Sequence, residues 1–211
     1  EWIPSFRPVL NGPVWDLLAT PDGKLIVGGE FTSVNGAANT SGIAALDATG
    51  QLVSGWRTSV TNPTATNPLG PQVKSLDFQD GFVYLGGRFT RITGGSTLGT
   101  QVTVGRAARV RLSDGRPDGT WKPTFDGAII ELDVSDEGDR VNAVGYFNSV
   151  NSVASARFAV VTTAAGAAVV PGLAPFVHAT GSGTKNYQQI VKEYDGAVWV
   201  GGSQHILSKY N

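Results

Sequence analysis

Cysteine is absent from all 211 residues, which removes disulfides, thiolate metal sites and thiol nucleophiles together. Methionine is absent too, so the chain is expected to be a mature product or a section of a longer one. The two histidines, His178 and His205, show no HxH or HxxxH spacing, and no metal site is expected. No apolar run approaches the ~18–20 residues of a membrane-spanning helix, so membrane insertion is not expected. Charge is sparse and balanced, 16 Lys+Arg against 17 Asp+Glu, and the cations are scattered rather than striped, which argues against a nucleic-acid partner. There is no Gly-x-Ser-x-Gly elbow, phosphate-cradling loop or calcium loop, and no cofactor is implied. Apolar spacing at i, i+3, i+4 and i+7 is missing throughout, which leaves no amphipathic helix. The 41% of apolar residues still suffice for a sizeable core.

A repeat is present instead. Ile26-Val27-Gly28-Gly29-Glu30-Phe31 returns as Tyr84-Leu85-Gly86-Gly87-Arg88-Phe89, as Ala143-Val144-Gly145-Tyr146-Phe147 and as Trp199-Val200-Gly201-Gly202-Ser203-Gln204. The second glycine recurs at spacings of 58, 58 and 57, with Asp22-Gly23, Asp80-Gly81, Gly138-Asp139 and Asp195-Gly196 at a fixed offset. Downstream, Trp56 and Trp121 each follow a glycine by six residues, and Trp2-Ile3-Pro4-Ser5-Phe6 matches Trp121-Lys122-Pro123-Thr124-Phe125. These tryptophans are expected to pack in the core or between units.

Each unit reads as four strands, in the first at Val14–Ala19, Lys24–Phe31, Gly42–Asp47 and Gln51–Arg57. Asp-Gly between apolar runs predicts hairpins with positive φ at both central residues. The paired glycines omit side chains where neighbouring sheets approach or where a strand bulges. Four-stranded units stacked around an axis describe an all-β fold, a β-propeller with a period of about 58 residues. Residues 1–211 then form one propeller region: the last strand of a preceding blade (1–6), blades at 13–60, 71–125 and 128–176, and an incomplete blade at 186–211. It is expected to be a section of a larger propeller, with closure by N-terminal strand exchange as the alternative.

In such blades the tight hairpins fall at one end. The long segments Thr32–Ser41, Val60–Pro71, Thr90–Gly105, Asn148–Ala154 and His178–Asn186 fall at the other, the default recognition surface. Candidate ligand-binding residues are Trp15, Arg91, Gln101, His178, Lys185, Tyr187 and His205, with no catalytic residue assigned. Most aspartates occupy turns and are expected to bond their own backbone. Asp16, Asp77, Glu131 and Asp133 lie on strands. Glu30, Arg88, Tyr146 and Ser203 share one register position, which either lines a groove or is simply exposed.

Pro21 through Gly36, Ala44 through Gly50 and Gly86 through Gly95 resemble the delta-60 repeat, a β-propeller family of unknown function in bacterial secreted and surface proteins. The resemblance implies an extracellular setting beside adhesion-like or carbohydrate-binding modules and carries no catalytic residues. The expected function is a non-enzymatic binding or scaffold module whose glycan or protein ligand engages the long-loop end, with other segments of the same parent protein as further expected partners. The alternatives are a hydrolase or lyase with part of its site outside this chain, using His178, His205, Glu193 and Lys185, and a structural part of an extracellular or virion assembly.

Overall fold

A computed structural model describes residues 3–63, 70–172 and 188–202, with the backbone of 209–210. The chain is all-β; among the described residues no helix forms, and none is long and apolar enough to cross a membrane. In chain order, Val14–Ala19 (β1), Leu25–Gly29 (β2) and Ile43–Leu46 (β3) form the first sheet, followed by Thr58–Thr61 (β4). Gln72–Gln79 (β5), Phe82–Arg88 (β6) and Ala107–Arg111 (β9) form the second, interrupted by Arg91–Gly94 (β7) and Thr100–Thr103 (β8). Ile129–Val134 (β10), Arg140–Gly145 (β11) and Phe158–Thr162 (β14) form the third, around a small hairpin of Ser149–Val150 (β12) and Val153–Ala154 (β13). Gln188–Tyr194 (β15), Ala197–Gly202 (β16) and Lys209–Tyr210 (β17) form the fourth.

The two glycines of each pair have different causes. Register slips at Trp15, Lys74, Ile130 and Gln189, one bulge at the same place in every first strand. The bulge drives a carbonyl against the second glycine. A Cβ at Gly29, Gly87 or Gly145 would lie 2.3, 2.0 or 2.2 Å from the oxygen of Pro13, Gln72 or Ala128. The first glycine faces the next sheet: a Cβ at Gly28 would meet Val73 and Leu76, and one at Gly86 would meet Ile129 and Leu132. In the third sheet Val144 takes that place, and the residue entering from the fourth sheet shrinks to Val191.

The sheets pack face against face. One core joins Ile26, Ile43 and Trp56 to Val73, Leu76 and Leu85. A second joins Tyr84 and Ala107 to Trp121, Ile129 and Leu132, and a third joins Val144 and Phe158 to Val191 and Val200. Phe6, Leu10 and Leu52 cover the opposite side of the first sheet. Trp56 and Trp121 are buried as expected. Trp121 lies edge-on to Tyr84 and donates its indole N–H to the Thr162 carbonyl at 2.9 Å, whereas the Trp56 N–H has no acceptor. Where a sheet precedes them, Leu76, Leu132 and Val191 are buried; Leu17, at the same register in the first sheet, is 58% exposed.

Three expectations need correction. The fourth strand of each of the first three units is reduced to a bridge, Leu46 to Leu52, Val110 to Pro117 and Val161 to Val169. Asp80-Gly81 and Asp195-Gly196 have positive φ at both residues, but at 22–23 and 138–139 only the glycine does. There the turns are longer and are held by Thr20 and Ser135 hydroxyls bonded to Asp22 and Asp139. Finally, the segment 90–105 is not an open loop. It folds into β7 and β8 beside β4 as a separate three-stranded sheet. Gly95 N–H reaches the Arg57 carbonyl at 3.0 Å, and the Thr58 hydroxyl reaches that of Gly115 at 2.8 Å, so the insertion runs back along the flank.

Candidate ligand-binding site

First strands of successive sheets run side by side in one direction, fastened by side chains. Asp16 Oδ2 accepts from Leu76 N at 2.7 Å, Asp77 Oδ2 from Val134 N at 2.7 Å, and Asp133 Oδ2 from Glu193 N at 2.6 Å. The Ser75 hydroxyl accepts from Leu132 N at 3.0 Å and donates to its carbonyl. Where two sheets abut without a continuous ladder, these oxygens satisfy amides that would otherwise be buried and unpaired. Parallel first strands put every tight hairpin at one end; a Cβ at Gly138 would touch Gln79 and Asp80 of the neighbouring hairpin.

Glu131 stands apart from the seam carboxylates: its backbone pairs with Val144 in the β10–β11 ladder, and its carboxyl accepts no hydrogen bond among the described residues. Burial, then the charges of Asp16 and Asp133, push its carboxyl up to about 7, against the pull of Lys192. Burial also raises Asp133, opposed by Lys192, which forms an ion pair with it. Glu193 is buried and held by Arg140 at 3.1 Å and Asn142 at 3.2 Å. A carboxylate so committed is a structural element, which corrects its reading as a catalytic contributor. The turn aspartates behave as expected: Asp47 accepts from the Thr49 and Gln51 amides, and Asp118 from that of Thr120.

The opposite end is cationic. Ion pairs among the described residues join Asp22 to Lys24, Arg109 to Asp118, Arg111 to Asp114, Arg140 to Glu137, Asp139 and Glu193, and Lys192 to Asp133. They lie at the hairpins or along the strands. Lys74, Arg88, Arg91, Arg106 and Arg157, toward the long-segment end, enter none of them. Lys74 lies 4.2 Å from the centre of the Trp15 ring, a contact between the bulge residues of adjacent sheets. Its ammonium is held below its usual value by burial, with Glu30 opposing and Arg88 assisting. Arg106 is likewise lowered by burial and by Arg88. Arg88 donates to the Gly70 carbonyl at 2.6 Å, and Gln72 donates to Glu30 at 2.5 Å.

Of the residues expected to bind ligand, Trp15 falls in this cluster and is half-exposed. Arg91 and Gln101 fall on the side sheet, Arg91 opposite Thr103 and Thr61, and Gln101 opposite Thr93 and, through it, Ser59. His178, Lys185, Tyr187 and His205 lie outside the described residues. Sequence reasoning missed Lys74 and Arg106. The available signal was an arginine at 106 where the first unit has Gly42; both adopt positive φ, 73° and 74°. Among the described residues no group of three His, Cys, Asp or Glu is arranged to hold a metal ion. No family model matches the chain, and no curated protein matches it.

Proposed function

We propose that the four sheets are blades of a β-propeller and that the chain is a non-enzymatic binding module. Its ligand, a glycan or protein, engages the long-segment end in an extracellular setting. The repeated face-to-face packing and the side-by-side first strands support the architecture; the resemblance of the repeats supports the setting. The observation that carries the binding reading is the charge asymmetry between the two ends. At the hairpin end Lys24, Arg111 and Arg140 are paired with neighbouring carboxylates, whereas Lys74, Arg88 and Arg106 enter no ion pair among the described residues and lie beside a half-exposed tryptophan, with Glu30 acting on Lys74. Such groups repel one another, and their retention is understandable if a partner supplies the missing contacts. The side sheet adds polar rows, Ser59–Thr93–Gln101 and Thr61–Arg91–Thr103, over an inner face of Val60 and Ile92 buried in the first core.

The test is binding to immobilised extracellular polysaccharides and proteins. Arg91→Ala combined with Gln101→Ala should weaken capture at least tenfold, while Lys24→Ala at the hairpin end leaves it unchanged. Equal losses from both ends would refute the reading. A second reading, acid catalysis, is favoured by Glu131 alone, because a carboxyl titrating near neutrality suits proton donation. Loss of glycoside turnover in Glu131→Gln, with binding intact, would select it.

A further inference from the structure

We infer that Lys74, Arg88 and Arg106 form a site for a tetrahedral oxyanion, a sulfate or phosphate group, either free or carried as a monoester on a larger ligand. The inference rests on the reading of the long-segment end as the recognition surface and names the chemistry recognised there. Three observations converge. Arg88 and Lys74 interact electrostatically, as do Arg88 and Arg106, so three cations share one neighbourhood with Glu30 as the carboxylate acting on it. Two net positive charges are left to match. Secondly, Arg88 Nε and Arg106 Nε and Nη1 are buried without any hydrogen-bond partner, although buried donors are normally paired. Outside the described residues the sequence holds a single acidic side chain, Glu1.

Comparison between repeats supplies the third. Arg157 holds in the third sheet the place of Arg106 in the second: each carbonyl accepts from the glycine of its own sheet, Gly145 or Gly87, and φ is 70° or 73°. Arg157 spends its guanidinium on the Tyr146 and Phe147 carbonyls, at 2.6 and 3.3 Å. Arg106 makes no such bond, and the residue at the Tyr146 position is Arg88. An arginine in left-handed backbone, set beside another arginine and not used by the fold, is placed for an external acceptor. The forked donors of two guanidinium groups and one ammonium suit the several oxygens of sulfate or phosphate better than a single carbonyl.

The repeats also supply variants compatible with the fold. Arg106→Gly introduces the residue of the first unit, and Arg88→Tyr that of the third. The experiment is calorimetric titration of the intact chain with sodium sulfate and sodium phosphate at constant ionic strength, beside glucose 6-sulfate and glucose 6-phosphate, with circular dichroism confirming the fold. Saturable one-to-one binding is expected in the native chain, with at least a tenfold loss in each variant. Lys74→Gln provides the same test without touching a positive-φ position. Tighter binding of the esters assigns the group to a larger ligand, and equal binding assigns it to the free anion; both sustain the site. Absence of saturable heat, or equal binding by native chain and variants, overturns it. If anion binding fails while Arg91→Ala with Gln101→Ala still abolishes capture on the polysaccharide and protein panel, only the anion site falls. Anion binding without any capture sinks the broader reading instead.

Discussion

At the residue scale, the position of Glu131 makes stability depend on pH in a direction opposite to that of most carboxylates. Its folded-state value is raised from 4.5 to about 7, so the charged form is disfavoured by folding. The native state is therefore favoured fully below the ordinary glutamate range, and that advantage is lost as pH rises toward neutrality. At full strength the shift corresponds to about 3 kcal/mol. Water on the exposed half of the group reduces this to about 1–2 kcal/mol. Glu131→Gln should flatten the decline between pH 4.5 and 7 and stabilise the chain at pH 8, read from denaturant midpoints across that range; an unchanged pH profile would refute the assignment. The depressed turn carboxylates, such as Asp47 held by Thr49, act in the opposite sense and below this window.

At the element scale the glycine pairs separate two kinds of constraint. Gly87→Ala would drive a methyl group into the Gln72 carbonyl, part of the backbone, and should cost more than about 4 kcal/mol or prevent folding. Gly86→Ala meets the side chains of Ile129 and Leu132, which can move, and should cost about 1–3 kcal/mol. Equal losses on chemical denaturation would contradict the distinction. The same pairs show what was legible beforehand. Their spacing located the inner strands of every unit, with β1 spanning the expected residues and β2 and β3 shortened only at their ends. The fourth strands were not legible, because their apolar residues serve packing between sheets: Trp56 enters the first core instead of extending a ladder. Nor was the side sheet, because β7 pairs with β4 across thirty or more residues of sequence and β8 joins only through its hairpin with β7. At the site, Trp15 was legible as a departure from the repeat. The seam roles of Asp16, Asp77 and Asp133 were not, since each acceptor meets its amide about sixty residues away.

At the scale of the whole molecule, order is graded from the first strands outward. β5 and β10 are paired along their length and fastened laterally to neighbouring sheets, whereas the outermost segment of each sheet is held by one bridge and a few flanking bonds. Amide exchange should follow this gradient, slowest in β5, β6, β10 and β11 and faster by at least a hundredfold around 51–53, 116–118 and 168–170. Uniform protection across each sheet would count against the gradient. Because the bridged segments also carry the chain from one sheet to the next, the molecule yields first along its connecting straps. Mild heat or a protease would loosen the links between layers while each layer's interior stayed dry, so its earliest damage would be a slackening of assembly rather than a melting of sheets.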